Sequence, residues 1–496
     1  MTEEQYSLPE LPKGWARVKL GNISDLINGR VFKPSEWSSE GVPIIRIQNL
    51  NNTEAEFNYC SFEVEGKYVV NNGQLLFGWS GTPETSFGAH IWNRGKAFLN
   101  QHIFKVEIDQ DCIDKIFLKH LLNHNVKEYV GKAHGTAGLA HITKGKFENS
   151  LITLPPFNEQ HRIASKIEEL FSCLDAGMES LLKVKTLLKR YRQAVLKYAF
   201  EGKLTEEWRK THKDQTEPAQ KLLEQIKQEQ EVELVGKHRE PPLAGTSNLP
   251  ALPETWVWTT ISRLETFIGS GITPKGGKRV YVNEGVPFIR SQNVHPDGLR
   301  LKDVAHVTPQ MHEDMKRTHT QPNDVLLNIT GASIGRSAYV SEELPEANVN
   351  QHVCIIRTGW WLVPSYLSHF LNSTYGQAQI FSTQSGVTRQ GLNYVQVRNL
   401  RIPLAPLSEQ KIVVERIQET YSVACEIENI ARQEIERSER LRQSILQAAF
   451  EGKLVSQDPS DEPAEKLLER ISKKREKQQV NFKKSLEDTG LMRYVE

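Results

Sequence analysis

Two short runs of this chain carry the same forked donors and amides in the same order: Arg46-Ile47-Gln48-Asn49 behind Gly-Val-Pro, and Arg290-Ser291-Gln292-Asn293 behind a second Gly-Val-Pro. A guanidinium can bond O6 and N7 of guanine together, and a carboxamide can pair with N6 and N7 of adenine. Arg46, Gln48, Asn49, Arg290, Gln292 and Asn293 are therefore candidate readers of base edges. The competing reading is that the amides hold local turns through nearby backbone. Farther on, GWSGTPETSFG (Gly78 to Gly88) and ITGASIGRS (Ile329 to Ser337) are small and polar, suited to close approach to phosphates. They offer Trp79, Ser80 and Thr82 in the first run, and Thr330, Ser333 and Arg336 in the second. A third pair of polar loops, HGTAGLAHITKGK and SGVTRQGLN, adds Thr136, Lys144 and Lys146, then Thr388, Arg389 and Gln390. Their cations and hydroxyls suit a nucleic-acid backbone.

Catalytic templates fail. LPPF at Leu154 to Phe157 has leucine where an amine-gripping motif needs an amide or carboxylate, and its counterpart at Leu404 reads Leu-Ala-Pro-Leu. GITPKGGK (Gly271 to Lys278) places Gly277 where a phosphate loop needs lysine. His120 and His124 are four apart, but no third metal ligand is visible, so they read as ordinary structural histidines. Glu65-Gly66-Lys67 lacks a partner acid for nuclease chemistry. No reaction and no bound cofactor or metal is assigned to this chain.

Composition agrees with a multidomain globular protein: 496 residues, 38% hydrophobic and 25% charged, with a formal net charge of +1. A near-neutral chain that binds nucleic acid must use local surfaces and gain from a partner. Five cysteines without a CxxC pair argue against a disulfide framework or zinc cluster, and are expected to be buried thiols. No apolar run is long enough for a membrane span, and the acidic start does not resemble a secretory signal, so a cytoplasmic location is expected.

What positions the candidate readers is a duplication. LPKGW at Leu11 answers LPETW at Leu252, GVPIIRIQN answers GVPFIRSQN, and Asn100-Gln101-His102 answers Asn350-Gln351-His352. LPPFNEQ answers LAPLSEQ, QAVLKYAFEGKL answers QSILQAAFEGKL, and EPAQKLLEQI answers EPAEKLLERI. The early part of each copy has short apolar runs among Gly, Pro and Asn, the texture of mixed strands and helix. After it, Ile163, Ile167, Leu170, Leu174, Met178, Leu181, Val184, Leu188, Tyr191, Val195 and Tyr198 alternate three and four apart. That is a coiled-coil seam. Val413, Ile417, Ala424, Ile427, Ala431, Leu441, Ile445 and Ala448 repeat it. Helices over 158–200 and 408–450 would each be about 60 Å long. The basic end of the first (Lys183 to Lys197) suits the acidic beginning of the second (Glu415 to Glu428), which predicts an antiparallel pair. Gly202 and Gly452, in the repeated AFEGKL, are placed to stop each helix in a left-handed conformation.

The expected fold class is thus α+β, with two pseudo-twofold-related mixed α/β domains separated by two long helices in an antiparallel coiled coil. The expected division is a tail (1–10), a first variable domain (11–155), a central helical spacer and linker (156–251), a second variable domain (252–405), a distal helical spacer (406–480) and a tail (481–496).

The ordered pattern LPxxW, GVPxIRxQN, LPPFNEQ or LAPLSEQ, long helix and AFEGKL resembles the specificity (S) subunit of type I restriction-modification enzymes over nearly the whole chain. The resemblance implies a non-catalytic chain with two target recognition domains. Each would read half of an asymmetric, interrupted site in double-stranded DNA, while the helices recruit two methyltransferase (M) subunits. It implies S-adenosylmethionine on the M partner, and ATP with magnesium on the restriction (R) subunits. The rival readings are a self-contained methyltransferase-restriction enzyme, which would need the missing motifs, and a non-catalytic protein-binding scaffold.

Overall fold

The computed structural model describes residues 10–82, 85–132, 140–233, 249–274, 276–383 and 391–488. It divides into two compact units, one formed by residues 1–180 with 433–496 and the other by 181–432. Each unit holds one variable domain, the first half of the long helix that follows it, and the second half of the other long helix.

In the first unit, strand Ala16–Lys19 pairs antiparallel with Leu151–Leu154, so both ends of the variable domain meet. Between them lies an antiparallel sheet ordered Ser24–Asn28, Ile103–Ile108, Gln74–Gly78, Gly88–Trp92. A second sheet, ordered Asn58–Cys60, Val42–Ile45, Ala97–Leu99, Val69–Val70, contains one parallel pair, Ile44 beside Phe98. Helix Lys115–His124, N-capped by Asp114 through the amide of Phe117 at 2.7 Å, covers the core with Phe117, Leu118, Leu121 and Leu122. The second unit repeats the plan: Val257–Thr260 with Arg401–Leu404, and a sheet ordered Glu265–Ser270, Val353–Thr358, Val325–Asn328, Ser337–Tyr339. Its smaller sheet again has one parallel pair, Phe288 beside Asn348.

The long helices run Phe157–Phe200 and Leu407–Phe450, 44 residues each. They are antiparallel: Asp175 pairs with Arg442 in the first unit, and Arg192 with Glu428 at 2.9 Å in the second. One pair of the expected charge match between the basic and acidic stretches, Arg192 with Glu428, is thus made. The seam holds through Leu188 on the first helix, but Tyr191 and Tyr198 are exposed, as are Ile427 and Leu441 on the second. The reason is a change of burying surface, because near its end the first helix turns Val195, Leu196, Ala199 and Phe200 into the core of the second domain. Three cysteines are buried as expected, whereas Cys173 and Cys425 lie exposed on the helices.

Residues common to both copies mount each domain on its helix. Gln160, fully buried, accepts from the amide of Asp114 at 2.9 Å and donates to the carbonyls of Cys112 and Pro155. Gln410 does the same with Val363, Trp361 and Ala405. The tryptophans of LPKGW and LPETW donate their indole N–H to Glu159 (3.1 Å) and Glu409 (2.8 Å). Gly202 and Gly452 stop the helices at φ of +71° and +69°, as expected. A Cβ on either would also strike a proline, lying 2.3 Å from Pro253 at position 202 and 2.5 Å from Pro12 at position 452. The repeated Phe-Glu-Gly-Lys thus ends a helix and seats it on the LPxxW strand entry of its unit.

Candidate nucleic-acid interface

In each domain a strand of the smaller sheet ends at the Arg-x-Gln-Asn turn. The backbone N–H of Arg46 donates to Asn49 Oδ1 at 3.0 Å, and that of Arg290 to Asn293 Oδ1 at 3.0 Å. Asn49 is buried and donates to the carbonyls of Ala55 and Glu56, while buried Asn293 donates to the carbonyl of Arg300 at 2.9 Å. Both asparagines thus use their amides on the turn itself, a local role that sequence alone left level with base reading. Gln48 and Gln292, one position earlier, are exposed.

The two arginines are half-buried over aromatic rings, Arg46 5.3 Å from the centroid of Trp37 and Arg290 5.3 Å from that of Tyr281. The ring holds the guanidinium by cation–π attraction. Arg46 also donates to Asn58 Oδ1 at 3.1 Å. Arg290 Nε is buried without a hydrogen-bond partner among the described residues.

The small polar loops join these turns. Asn51 donates to the carbonyl of Thr85, and Asn328 donates to the carbonyl of Ser291 at 2.8 Å. Trp79 stacks on Phe104 at 5.3 Å, and its indole N–H is buried without a partner among the described residues. Ser80 is buried with Oγ 2.6 Å from His141 Nδ1, and exposed Thr82 offers its carbonyl to the amides of Thr85 and Ser86. In the second domain Thr330 Oγ1 meets His352 Nδ1, Ser333 Oγ accepts from Asn328 at 3.1 Å, and half-buried Arg336 donates its backbone N–H to Ser333.

Strand Ser80–Gly81 pairs with Ala140–His141, and Thr330 bridges Gly391, so the described later part of the third loop in each domain lies beside the second. Exposed Lys144 lies 3.6 Å from Glu148, and half-buried Lys146 belongs to the same short helix, Lys144–Glu148. Thr136, Thr388, Arg389 and Gln390 lie outside the described residues.

Three histidines that sequence reasoning did not single out line these junctions. Trp79 lies 5.8 Å from His102 and 6.2 Å from His141, ring to ring, and His352 occupies the place of His102. Burial lowers the pKa of His102, with nearby His141 and Arg46 acting the same way, so it is neutral at physiological pH. The signal for two of them was present: Asn-Gln-His recurs in both copies at one offset. The backbone explains the recurrence, since the amide of Asn100 donates to Ile45, and that of Asn350 to Ile289, tying this triplet to the arginine turn. His120, by contrast, is buried against the mount, with Nε2 2.5 Å from Glu168.

Each domain therefore gathers three chain segments around an aromatic-backed arginine, with hydroxyls and imidazoles at its side. That surface suits a polar, anionic polymer more than a small molecule. Comparison with known proteins gives the same direction. The profile of the type I restriction modification DNA specificity domain matches residues 12–184 and again 253–437. The Type I restriction enzyme EcoBI specificity subunit of Escherichia coli is 28% identical over 478 residues, covering 93% of this chain and 92% of that one. The EcoKI specificity subunit of Escherichia coli K12 is 23% identical, covering 95% and 97%. Among solved structures, a chain from a study of complex assembly and conformational transition of the type I R-M system superposes with a TM-score of 0.61 at 19% identity, covering 90% of this chain and all of that one. The HsdS subunit from Thermoanaerobacter tengcongensis gives 0.50 at 20%, covering 92% and 100%. Two family matches, one on each repeat and together spanning most of the sequence, leave one conclusion: this chain belongs to the type I restriction-modification DNA specificity family, as a specificity subunit that is itself non-catalytic.

Proposed function

We propose that each variable domain reads one half of a bipartite, asymmetric site in double-stranded DNA, and that the paired helices act as the ruler between the two readings. The observation that carries this is the doubled mount. The same Trp, Glu and Gln contacts seat each domain at the start of its own helix, and the two helices are antiparallel. A repeat with a common base and diverging loops suits two readings of different half-sites.

The helices also present exposed apolar side chains, Leu182, Leu187 and Tyr191 on the first, and Val423, Ile427 and Ile430 on the second. These are the surfaces we assign to two methyltransferase subunits. Those partners would bring S-adenosylmethionine and the adenine chemistry, and restriction subunits would bring ATP and magnesium.

The test is to remove one heptad from each helix and map methylated adenines in cells that express the chain with its methyltransferase partner. Seven residues are about 10 Å of helix, the rise of roughly three base pairs. The half-sites should persist while the unspecified spacer between them changes. An unchanged spacer in a complex that still methylates would overturn the ruler, and methylation without sequence preference would leave only a protein-binding scaffold.

A further inference from the structure

In the second domain, helix Pro309–Asp314 carries buried His312, and the following turn Lys316–Thr318 leads to His319, which bridges antiparallel to Asn348. Glu346 stands two residues before Asn348. The carboxylate faces both rings: Oε2 is 3.4 Å from His312 Nε2, and Oε1 is 2.9 Å from His319 Nδ1. One ligand atom from each of the three residues lies within 4.8 Å of the others.

The hydrogen bonds behind the rings settle which nitrogen carries the proton. Asn348 Nδ2 donates to the carbonyl of Met315 at 3.4 Å, which turns its Oδ1 toward His312 Nδ1 as an acceptor. His319 Nε2 lies 2.7 Å from the carbonyl of His312, which can only accept. In the neutral rings, then, the remaining nitrogens, His312 Nε2 and His319 Nδ1, present lone pairs to a carboxylate. Lone pairs and carboxylate oxygens repel at these distances unless positive charge lies between them. Imidazoles whose outer N–H is held by a carbonyl oxygen, and whose inner nitrogen converges with a carboxylate, form the usual two-shell arrangement around a transition metal.

We propose that His312, His319 and Glu346 bind one divalent cation of the zinc class. Bonds of about 2.0–2.1 Å in a tetrahedral site set ligand atoms about 3.4 Å apart, close to the separation already present on the His312 side. Two imidazoles favour Zn2+, Co2+ or Ni2+ over Mg2+ and Ca2+, which prefer oxygen. Three protein ligands leave a fourth position for water. The rings are now stacked, 3.6 Å between centroids and 4° from parallel, so binding fans them apart to bring the ion into both ring planes. Glu346, with its side chain 60% exposed, provides the entry and the freedom to adjust.

Among the described residues the cluster occurs in the second domain only. By strand register, the first domain has Val69 and Phe98 where the second has His319 and Asn348, and Lys96 in place of Glu346. Val69 faces Phe98 as His319 faces Asn348. An apolar contact in one copy is thus replaced by a metal clip in the other, pinning the same segment to the strand beside Phe288 and Ile289.

The full chain, stripped with chelator, would be titrated with Zn2+ and separately with Co2+. One more Zn2+ is expected to bind the natural chain than the Glu346→Gln or His319→Gln variants, with affinity at that site reduced by more than about tenfold in either. Zn2+ should raise the melting temperature of the natural chain only, and Co2+ should give tetrahedral ligand-field absorption that both variants lose. Glu346 is exposed, so its variant keeps the fold, which circular dichroism verifies. Equal Zn2+ binding by natural and Glu346→Gln chains would overturn the site. So would the absence of any tight Zn2+, which would leave protonated imidazoles as the intervening charge. Neither readout requires DNA.

Discussion

The first and second domains stand on their helices through the same indole and the same acid, yet the charge around that acid is closed differently. Glu409 is fully buried and accepts from Trp256, from Thr205 at 2.7 Å, and from Arg209 at 2.8 and 3.0 Å. Glu159 accepts from Trp15, while the neighbouring Arg162 turns to Asp461 at 2.6 Å. Burial therefore raises the pKa of the Glu159 carboxyl above its ordinary value. At the matching offset the first unit has Pro459 where the second has Arg209, and the second unit has Ile412 where the first has Arg162. The shape of the mount is retained in both copies, whereas the means of neutralising it is local. A hydrogen-bonded indole fixes orientation, and any nearby cation can supply the rest.

Breaking that comparison should give the largest effect. Glu409→Gln leaves Arg209 without its carboxylate and is expected to cost about 3–5 kcal/mol. Glu159→Gln keeps an acceptor for Trp15 and removes a charge that burial disfavours, so it should change stability by less than about 1 kcal/mol. Urea unfolding of the two variants measures both, and equal losses would show that the acids play the same part.

A second difference lies on the helix that covers each core. His369 packs against the ring of Tyr421 at 5.9 Å, and burial holds its pKa at about 4, against 6.5 for a free imidazole. Its counterpart in the first domain is Lys119, which pairs with Glu168 at 3.3 Å. Between the two pKa values the unfolded chain takes up a proton that the folded one refuses. Stability should therefore be full above about pH 6.5 and fall as pH drops toward 4, by on the order of 2 kcal/mol at pH 5. His369→Leu should flatten that part of the pH profile. A profile unchanged by the substitution would remove His369 as its source.

Where the copies agree, the predicted effects should agree as well. Gly202→Ala and Gly452→Ala each force a left-handed residue against a proline, and each should lose about 1–2 kcal/mol. A marked inequality would mean that one helix stop bears more of its unit. The remaining effect is on binding: Arg46→Ala and Arg290→Ala should each weaken the assembled complex on its cognate duplex by about 1–3 kcal/mol, in different half-sites. Loss in the same half-site would contradict one reader per domain.

The candidate interface was only partly visible beforehand. Arg46 and Arg290 are set on aromatic rings, Trp37 and Tyr281, that no spacing rule links to them. Asn49 and Asn293 looked like readers because a carboxamide has the same chemistry whether it faces a base or its own turn. Burial decided the matter of their partners in the free chain. His102 and His352 were hidden in a repeated triplet whose purpose lies in backbone bonds to Ile45 and Ile289.

From the residues alone came the duplication, the two long helices with their charge match, and the glycine stops, because periodicity, charge order and left-handed backbone are local or pairwise properties that letters record. Only the folded chain decided where each helix leaves its seam, exposing Tyr191 and Tyr198 while Phe200 enters the core of the second domain. It also decided that the end of each long helix closes the unit containing the other copy's variable domain, with Gly202 on Pro253 and Gly452 on Pro12. The physical reason is that an apolar face specifies that it must be covered, and which surface covers it depends on contacts between residues far apart in the chain.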